Sequence, residues 1–311
     1  MALSDRYAAQ VALLVEVLPF VAAELDFALK GGTAINLFLR DLPRLSVDID
    51  LTYLPVAGRP ESLAGIHAAM TRLAARIRDG LAAARVTEVP LARESVTTKL
   101  TVQRRDAQIK VEVTPVLRGC VFPPELRSMT PAVEAKFGFA SAQIVSFADL
   151  YAGKLVAALD RQHPRDLFDV RDLLAQEGIG DDLRRAFLVY LVSHTRPMAE
   201  VLAPRRKDLA LEFARAFVGM TAEPVPLAEL ETAREAMIAQ ITGGMPDAHR
   251  AFLVGIEEGD ADWGAVGLTA AADLPAVAWR RQNLDTLAPA ARQKLADALR
   301  AAFVRKGAPA P

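Results

Sequence analysis

Apolar and polar positions in the first half of the chain follow two different periods. Residues 7–25 and 61–84 repeat apolar positions with the spacing of an amphipathic helix. Residues 27–29 form a short apolar run and residues 46–51 alternate strictly, so both segments predict strands. In the second of these strands the apolar side chains share one face and the acidic side chains share the other.

Two further alternating runs, residues 98–102 and 108–113, flank a polar turn at residues 104–106. This arrangement predicts a β-hairpin. Pro115 follows the second run, and because proline cannot donate a ladder hydrogen bond, we expect the strand to end there.

The pattern becomes helical at about residue 145. Ser146 opens a loose capping box before a helix that Pro164 stops. Further helical patterns cover residues 165–175, 181–194, 207–218, 227–241, 247–257 and 290–304. We therefore predict an α+β protein. Its N-terminal domain, residues 1–145, combines a mixed sheet with flanking helices, and its C-terminal domain, residues 146–311, is all-helical.

Composition narrows the class of protein. Of 311 residues, 52% are hydrophobic and 24% are charged, which is typical of a globular chain. The 37 basic and 38 acidic residues nearly cancel, which excludes a uniformly basic polyanion-binding protein but allows a local basic patch. The single cysteine, Cys120, excludes an intrachain disulfide and indicates a reducing cytoplasm. No apolar stretch is long enough to predict a membrane span.

Asp48 and Asp50 lie two residues apart on a predicted strand, so their carboxylates point to the same face. Two adjacent carboxylates repel each other unless positive charge lies between them. A divalent cation such as magnesium supplies that charge and completes its coordination with phosphate oxygens and water. The alternative interpretation is an edge strand with an acidic, solvated face.

A glycine pair precedes these acids. Gly31 and Gly32 follow the first predicted strand, and Thr33 can cap a helix over residues 34–40. A glycine turn that leads into a helix offers backbone N–H groups to phosphate. We expect the hydroxyls of Thr33 and Ser46 to be close to this phosphate site. The alternative is an ordinary left-handed turn. Two arginines in the following loop are candidates for phosphate contact or for simple solvation: Arg40 and Arg44.

Glu112 stands between two valines on the second strand of the predicted hairpin. An ionised carboxylate among apolar neighbours is costly unless it is paired or coordinated. It is therefore a candidate third acid for the same site. Lys110 shares its face of the strand, so a half-exposed ion pair between the two is the competing interpretation.

Together these motifs resemble those of a known family. Residues 29–37 (LKGGTAINL) and 44–51 (RLSVDIDL) are similar to the AbiEii/AbiGii nucleotidyltransferase toxins, within the DNA polymerase β-like nucleotidyltransferases. The resemblance continues in residues 154–161 (KLVAALDR) and 165–169 (RDLFD). It extends to Asp262-Trp263, to residues 274–280 and to Asn283-Leu284, and so covers most of the chain.

The resemblance implies a role for each motif. It implies a nucleotidyltransferase core in the N-terminal domain and a helical domain that contributes to the active-site cleft. It implies Mg²⁺ or Mn²⁺ as cofactor and a nucleoside triphosphate as substrate. The implied metal ligands are Asp48, Asp50 and Glu112, with Lys154 and Asp166 as further catalytic residues. The implied nucleotide-binding residues are Gly31, Gly32, Thr33, Ser46, Lys154 and Asp169.

Some of these roles have a structural alternative. Asp166 and Asp169 lie one helical turn apart and share a face, so they either take part in catalysis or hold the two domains in register. Lys154 either neutralises triphosphate charge or is a solvated helix lysine.

The family also implies a biological role. It implies a toxin of a toxin–antitoxin or abortive-infection system, with an antitoxin encoded nearby. Its activity would transfer a nucleoside monophosphate to RNA, such as a tRNA acceptor end, and release pyrophosphate. The alternatives are an antibiotic-modifying type of enzyme with a small-molecule acceptor, and a non-catalytic nucleotide-binding protein. Candidate RNA contacts are the arginines at 72, 76, 78, 104, 105, 184, 185, 205, 206, 280 and 281, together with Lys207.

Overall fold

The computed structural model describes residues 5–92 and 94–304. They form two compact units. The first, here called the sheet unit, runs to Ser146 and also includes Gly219–Pro224. The second, the helical unit, consists of Phe147–Val218 and the chain from Val225 onward. A short segment from within the C-terminal half therefore belongs to the sheet unit.

The sheet unit is built on one seven-stranded mixed sheet with the strand order β3-β4-β5-β2-β1-β7-β6. The strands are β1 (Phe27–Lys30), β2 (Asp48–Tyr53), β3 (Arg85–Pro90), β4 (Thr97–Arg104), β5 (Ala107–Arg118), β6 (Glu125–Ser128) and β7 (Ser141–Ile144). β2 pairs in parallel with β5, and β1 pairs in parallel with β7. The other neighbours are antiparallel. The predicted α+β class with a mixed sheet is confirmed.

The sheet unit also contains four described α-helices. They are α1 (Asp5–Ala22), α2 (Gly31–Ala34), α3 (Arg59–Gly80) and α4 (Pro131–Phe137), and α2 continues into a π-helical turn over Ile35–Leu39. α1 contacts β5 and β7, and α3 contacts β3 and β4. Their apolar faces bury Leu14 and Ile66 completely. Burial of these apolar faces is the main contribution to the stability of the packing between helices and sheet.

The predicted hairpin is present as β4 and β5, which pair from Lys99–Glu112 to Arg104–Ala107. The prediction that Pro115 ends the second strand is wrong, because β5 continues to Arg118. The register between β2 and β5 shifts just beyond Val113. Pro115 lies in this irregularity, where a residue without an N–H group is tolerated.

In the helical unit all described regular elements are helices. They are α5 (Phe147–Arg161), α6 (Pro164–Gln176), α7 (Asp181–Val192), α8 (Met198–Leu202), α9 (Ala210–Ala216), α10 (Leu227–Ile238), α11 (Asp247–Glu258), α12 (Pro275–Asp285) and α13 (Pro289–Val304). Close packing joins α5 to α7, α6 to α10 and α11 to α13. Among the described residues, no helix combines the length and the apolarity that crossing a membrane requires.

Candidate active site

Four charged residues lie side by side across the centre of the sheet. In the observed register Lys30 of β1 is opposite Asp50 of β2, and Asp50 is beside Glu112 of β5. Glu112 is in turn opposite Lys99 of β4. Register partners point to the same face of a sheet. These four residues, called the charged row below, therefore place two acids between two lysines.

The charged row lies on the half-buried face of the sheet. Asp48 and Asp50 are both partly exposed, whereas Ile49 and Leu51 between and after them are fully buried. The predicted alternation of β2 is therefore confirmed, although the strand begins at Asp48, two residues later than predicted. The two aspartates therefore share one face of the sheet.

Glu112 forms an ion pair, but not with Lys110, the partner in the competing interpretation. Its Oε1 lies 2.6 Å from Nζ of Lys99 on the neighbouring strand, and both side chains are partly exposed. Lys110 is instead the register partner of Asp48. Directly opposed residues on adjacent strands are closer than residues two apart on one strand, about 5 Å against about 7 Å, which favours Lys99.

The donor set fits a magnesium-type ion held by two carboxylates. Among residues 5–92 and 94–304, no group of three or more His, Cys, Asp or Glu side chains is arranged to hold a metal. Asp48 and Asp50 nevertheless supply the one or two carboxylates with which magnesium is usually bound when phosphate completes the shell. Glu112 is adjacent to Asp50 in the sheet, with its carboxylate bonded to Lys99.

The two glycines make room for functional groups. Gly31 has a φ of 75°, which favours glycine, and a Cβ atom there would overlap the Asp50 carboxylate. A Cβ atom on Gly32 would lie 2.7 Å from Oγ of Ser46 and 2.8 Å from Nη2 of Arg44. The tight turn and the close approach to side chains are therefore both present at this pair.

The expectation that Thr33 caps the following helix is wrong. The helix begins earlier, at Gly31, with Lys30 as its N-cap. Thr33 is fully buried, and its Oγ1 donates a 2.5 Å hydrogen bond to the carbonyl oxygen of Asp48 and lies 3.2 Å from Oγ of Ser46. Thr33 therefore fastens the start of β2 to the glycine turn.

Arg44 is buried beside this turn, so simple solvation is excluded for it. Its Nη1 donates to the carbonyl oxygen of Leu45 at 2.8 Å. Its backbone forms an isolated antiparallel bridge with Thr221, and the N–H of Leu45 donates to the carbonyl of Met220 at 2.8 Å. Gly219–Pro224 is thus the backbone partner of the loop that presents Arg44 to Gly32.

Sequence reasoning overlooked Lys30 as a site residue. Burial lowers the pKa of its ammonium group, and the charges of Asp50 and Cys120 oppose that shift. The sequence signal that could have identified Lys30 is its position at the end of a buried apolar strand, directly before the glycine pair. Its relation to Asp50 depends on strand register, which the sequence does not specify.

A polar depression of about 380 Å³ adjoins Asp48 on the surface of the sheet unit. Its lining residues come from α1, from the start of β2 and from the strands β4 and β5 with their turn: Gln10, Val47, Asp48, Gln103, Asp106, Gln108 and Lys110. Both charged and amide side chains therefore surround the first of the two aspartates.

The helical unit contains a buried charge cluster. Nζ of Lys154 on α5 lies 2.8 Å from Oδ1 of Asp166 and 2.9 Å from Oδ2 of Asp169, both on α6. Arg161 contacts the other oxygen of Asp166 at 2.8 Å. Lys154, Asp166 and Asp169 are buried, so the alternative of a solvated Lys154 is excluded. The cluster couples α5 to α6, the two helices that carry the C-terminal motifs.

One known protein family matches a stretch of the chain that includes both the charged row and the Lys154 cluster. The family model described as "Nucleotidyl transferase AbiEii toxin, Type IV TA system" matches residues 12–285. The chain belongs to the AbiEii nucleotidyltransferase toxin family. The resemblance inferred from the glycine, aspartate and lysine motifs is therefore confirmed. As an AbiEii family member, the protein is a nucleotidyltransferase toxin of a type IV toxin–antitoxin system.

A solved structure shares the fold of this AbiEii family member. MenT4, a nucleotidyltransferase toxin from Mycobacterium tuberculosis H37Rv, superimposes with a TM-score of 0.58 over 95% of this chain and 93% of that chain. The two sequences are 17% identical, so the likeness establishes the fold. The search of curated proteins returned no significant match.

Proposed function

We propose that this AbiEii family member transfers a nucleoside monophosphate from a nucleoside triphosphate to an acceptor and releases pyrophosphate. The observation that carries the proposal is the shared, half-buried face of Asp48 and Asp50 beside the Gly31–Gly32 turn. Carboxylates suit a divalent cation, and backbone N–H groups at a glycine turn suit phosphate.

In this proposal Asp48 and Asp50 hold Mg²⁺ or Mn²⁺, and Glu112 is the third acid. The chemistry that such an ion supplies is neutralisation of charge on the transferring phosphate and on the departing pyrophosphate. The chain itself sets the geometry. Thr33 fixes the backbone at Asp48, and the missing side chain of Gly31 lets the Asp50 carboxylate lie against the turn.

Phosphate binding is assigned to groups around Gly32. The Arg44 guanidinium and the Ser46 hydroxyl both lie where a Gly32 side chain would be. A guanidinium presents paired N–H donors that match two phosphate oxygens, which orients the triphosphate as well as neutralising it. Positioning and charge neutralisation account for most of the catalysis in phosphoryl chemistry.

The proposal also keeps Lys154, Asp166 and Asp169 in the nucleotide site, on the strength of the family motif. Lys154 already has two carboxylate partners within 3 Å. A triphosphate must therefore compete with these carboxylates for its ammonium. Lys154 acts either directly on phosphate or by holding α5 and α6 together, and nucleotide affinity in a folded Lys154 variant separates these roles.

We propose RNA as the acceptor, with a tRNA acceptor end as the specific form, because the family resemblance points there. Exposed arginines that support a polyanionic acceptor include Arg105, Arg205 and Arg281. Aromatic residues make up only 6% of the chain, which favours recognition of a structured end over stacking on single strands. A cytoplasmic location and a cognate antitoxin complete the proposal.

A small-molecule acceptor is the second candidate, and one observation favours it. Many of the arginines predicted to contact RNA are paired with acids of the protein. Such pairs are Arg72–Glu24, Arg76–Glu24, Arg78–Glu88, Arg104–Glu16, Arg185–Asp182, Arg206–Glu235 and Arg280–Glu257. Pairing weakens the positive field that attracts a nucleic acid.

The deciding experiment uses each α-labelled nucleoside triphosphate with Mg²⁺ or Mn²⁺, in the presence of total RNA or of a small-molecule extract. The expected result is label in a discrete RNA band with one preferred nucleotide, and none with the Asp50→Asn protein. Label in small molecules alone would replace the RNA acceptor. Absence of any labelled product from the wild-type protein would refute the proposed transfer.

A further inference from the structure

In the charged row, the acids Asp50 and Glu112 have lysines as their outer neighbours. Lys99 is directly opposite Glu112, and the two side chains are 2.6 Å apart at their charged atoms. The Lys99 side chain is 32% exposed and that of Glu112 is 41% exposed, so neither is fixed by a packed core. Their contact is therefore able to open without disrupting the sheet.

Glu112 also stands next to Asp50, the acid that lies against Gly31. Two carboxylates on directly neighbouring strand positions disfavour each other. Lys99 relieves that repulsion from one side by neutralising Glu112. A divalent cation between the acids would relieve it from the other side.

We propose that Lys99 is a built-in counter-ion that competes with a divalent cation for Glu112 and so sets the cation concentration at which the site fills. This inference rests on the proposed metal-dependent function. In the absence of cation the ammonium occupies the Glu112 carboxylate. When a cation binds, Lys99 releases Glu112, because two positive charges on one carboxylate repel each other.

The size of the effect follows from Coulomb's law. One positive charge about 5 Å from a divalent ion in a water-like medium lowers its affinity by a factor on the order of ten. Removal of the Lys99 charge is therefore expected to tighten cation binding about ten-fold. Because both partners are partly exposed, high salt should reduce this gain.

The test measures binding of Mn²⁺ alone, from the electron paramagnetic resonance signal of the free ion. The protein is the full chain as wild type, Lys99→Met and Lys99→Gln. Lys136→Met on α4 removes the same charge from the same unit outside the charged row and is the matched control. The expected result is about ten-fold tighter binding in both Lys99 variants, a smaller gain in 0.5 M KCl, and no change for Lys136→Met.

A double variant shows whether Lys99 acts through Glu112. Glu112→Gln is expected to reduce the gain in the Lys99→Met background, because competition for the carboxylate is lost and only direct charge repulsion remains. A double-mutant cycle measures this coupling. Equal or weaker Mn²⁺ binding in folded Lys99 variants, with binding retained by the wild type, would overturn the counter-ion proposal and leave the proposed function standing. No Mn²⁺ binding by any of the proteins would overturn both. Thermal melting of every variant identifies any that has not folded.

Discussion

Lys154→Met is the most informative change in the helical unit. It removes the ammonium that contacts Asp166 at 2.8 Å and Asp169 at 2.9 Å, and it keeps a side chain of similar length. The Asp169 side chain is 1% exposed and that of Asp166 is 6% exposed, so water does not replace the lost partner. The change therefore removes an ammonium that contacts both buried carboxylates, while Arg161 keeps its 2.8 Å contact with Asp166.

Removing one partner of a buried ion pair costs about 3–5 kcal/mol, because the other charge is left buried without compensation. We expect a loss of this size in the free energy of unfolding of Lys154→Met, measured by urea denaturation followed by circular dichroism. Arg161→Met is the matched control. Arg161 is 61% exposed, and exposed ion pairs contribute about 0–1 kcal/mol.

The triple change Lys154→Met, Asp166→Asn and Asp169→Leu should recover much of the stability, since it removes the buried carboxylates together with their partner. A loss below about 1 kcal/mol in Lys154→Met would refute the reasoning. Triphosphate affinity measured in the stabilised triple variant then reports on nucleotide binding separately from folding. Unchanged affinity and unchanged transfer would remove the helical unit from the proposed nucleotide site.

Three further substitutions test the sheet unit. Asp50→Asn should abolish labelled nucleotide transfer and toxicity in a growth assay while the protein remains folded in a thermal melt, because Asn keeps the size of the side chain and removes only its charge. Gly31→Ala should destabilise the protein more than Gly138→Ala. Both glycines have a positive φ, which costs alanine roughly 1–2 kcal/mol. Of these two sites, the new Cβ atom meets a side chain only at Gly31. Thr33→Val should lower the free energy of unfolding by about 1 kcal/mol or more, because it removes the hydroxyl that donates to the backbone carbonyl of Asp48. Thr232→Val, at an exposed helix position, is the control and should have little effect. Equal losses within either pair of variants, measured by urea denaturation, would contradict the assigned contacts.

Elements with a strong local signal were predictable. The alternation of β2 and the β4–β5 hairpin follow from the period of their side chains, and α5 follows a capping signal at its start. His163 caps α6 by accepting a hydrogen bond from the N–H of Arg165, which is two residues away in sequence. In these cases the interactions that decide the structure lie within a few residues of one another.

Features that depend on strand order were not predictable. The competing interpretation paired Glu112 with Lys110, which is near in sequence, whereas the observed partner Lys99 becomes adjacent through the pairing of β4 with β5. Lys30 was overlooked for the same reason, since its position opposite Asp50 depends on the register of β1 and β2. Between strands that a long segment separates, such as β1 and β2, sequence spacing does not specify the register. In the β4–β5 hairpin the turn fixes it, and the observed turn at residues 105–106 is one residue shorter than the predicted turn at 104–106.

Short elements also escaped prediction. α8 has five residues, and β6 and β7 have four each, which is too few for a periodic pattern to stand out. Thr33 was assigned the wrong role because the helix begins at Gly31, on a turn that the absence of a glycine side chain allows. The candidate acids were identified from sequence, and their environment required the structure.

The return of Gly219–Pro224 to the sheet unit makes both units discontinuous in the gene. A fragment that stops at Ser146 would keep every strand and all three candidate acids. It would lose the carbonyl of Met220 that accepts from Leu45 and the N–H of Ala222 that donates to Pro43. Exchange of one unit between relatives by a single recombination event would break the same contacts, so we expect the two units to be inherited together.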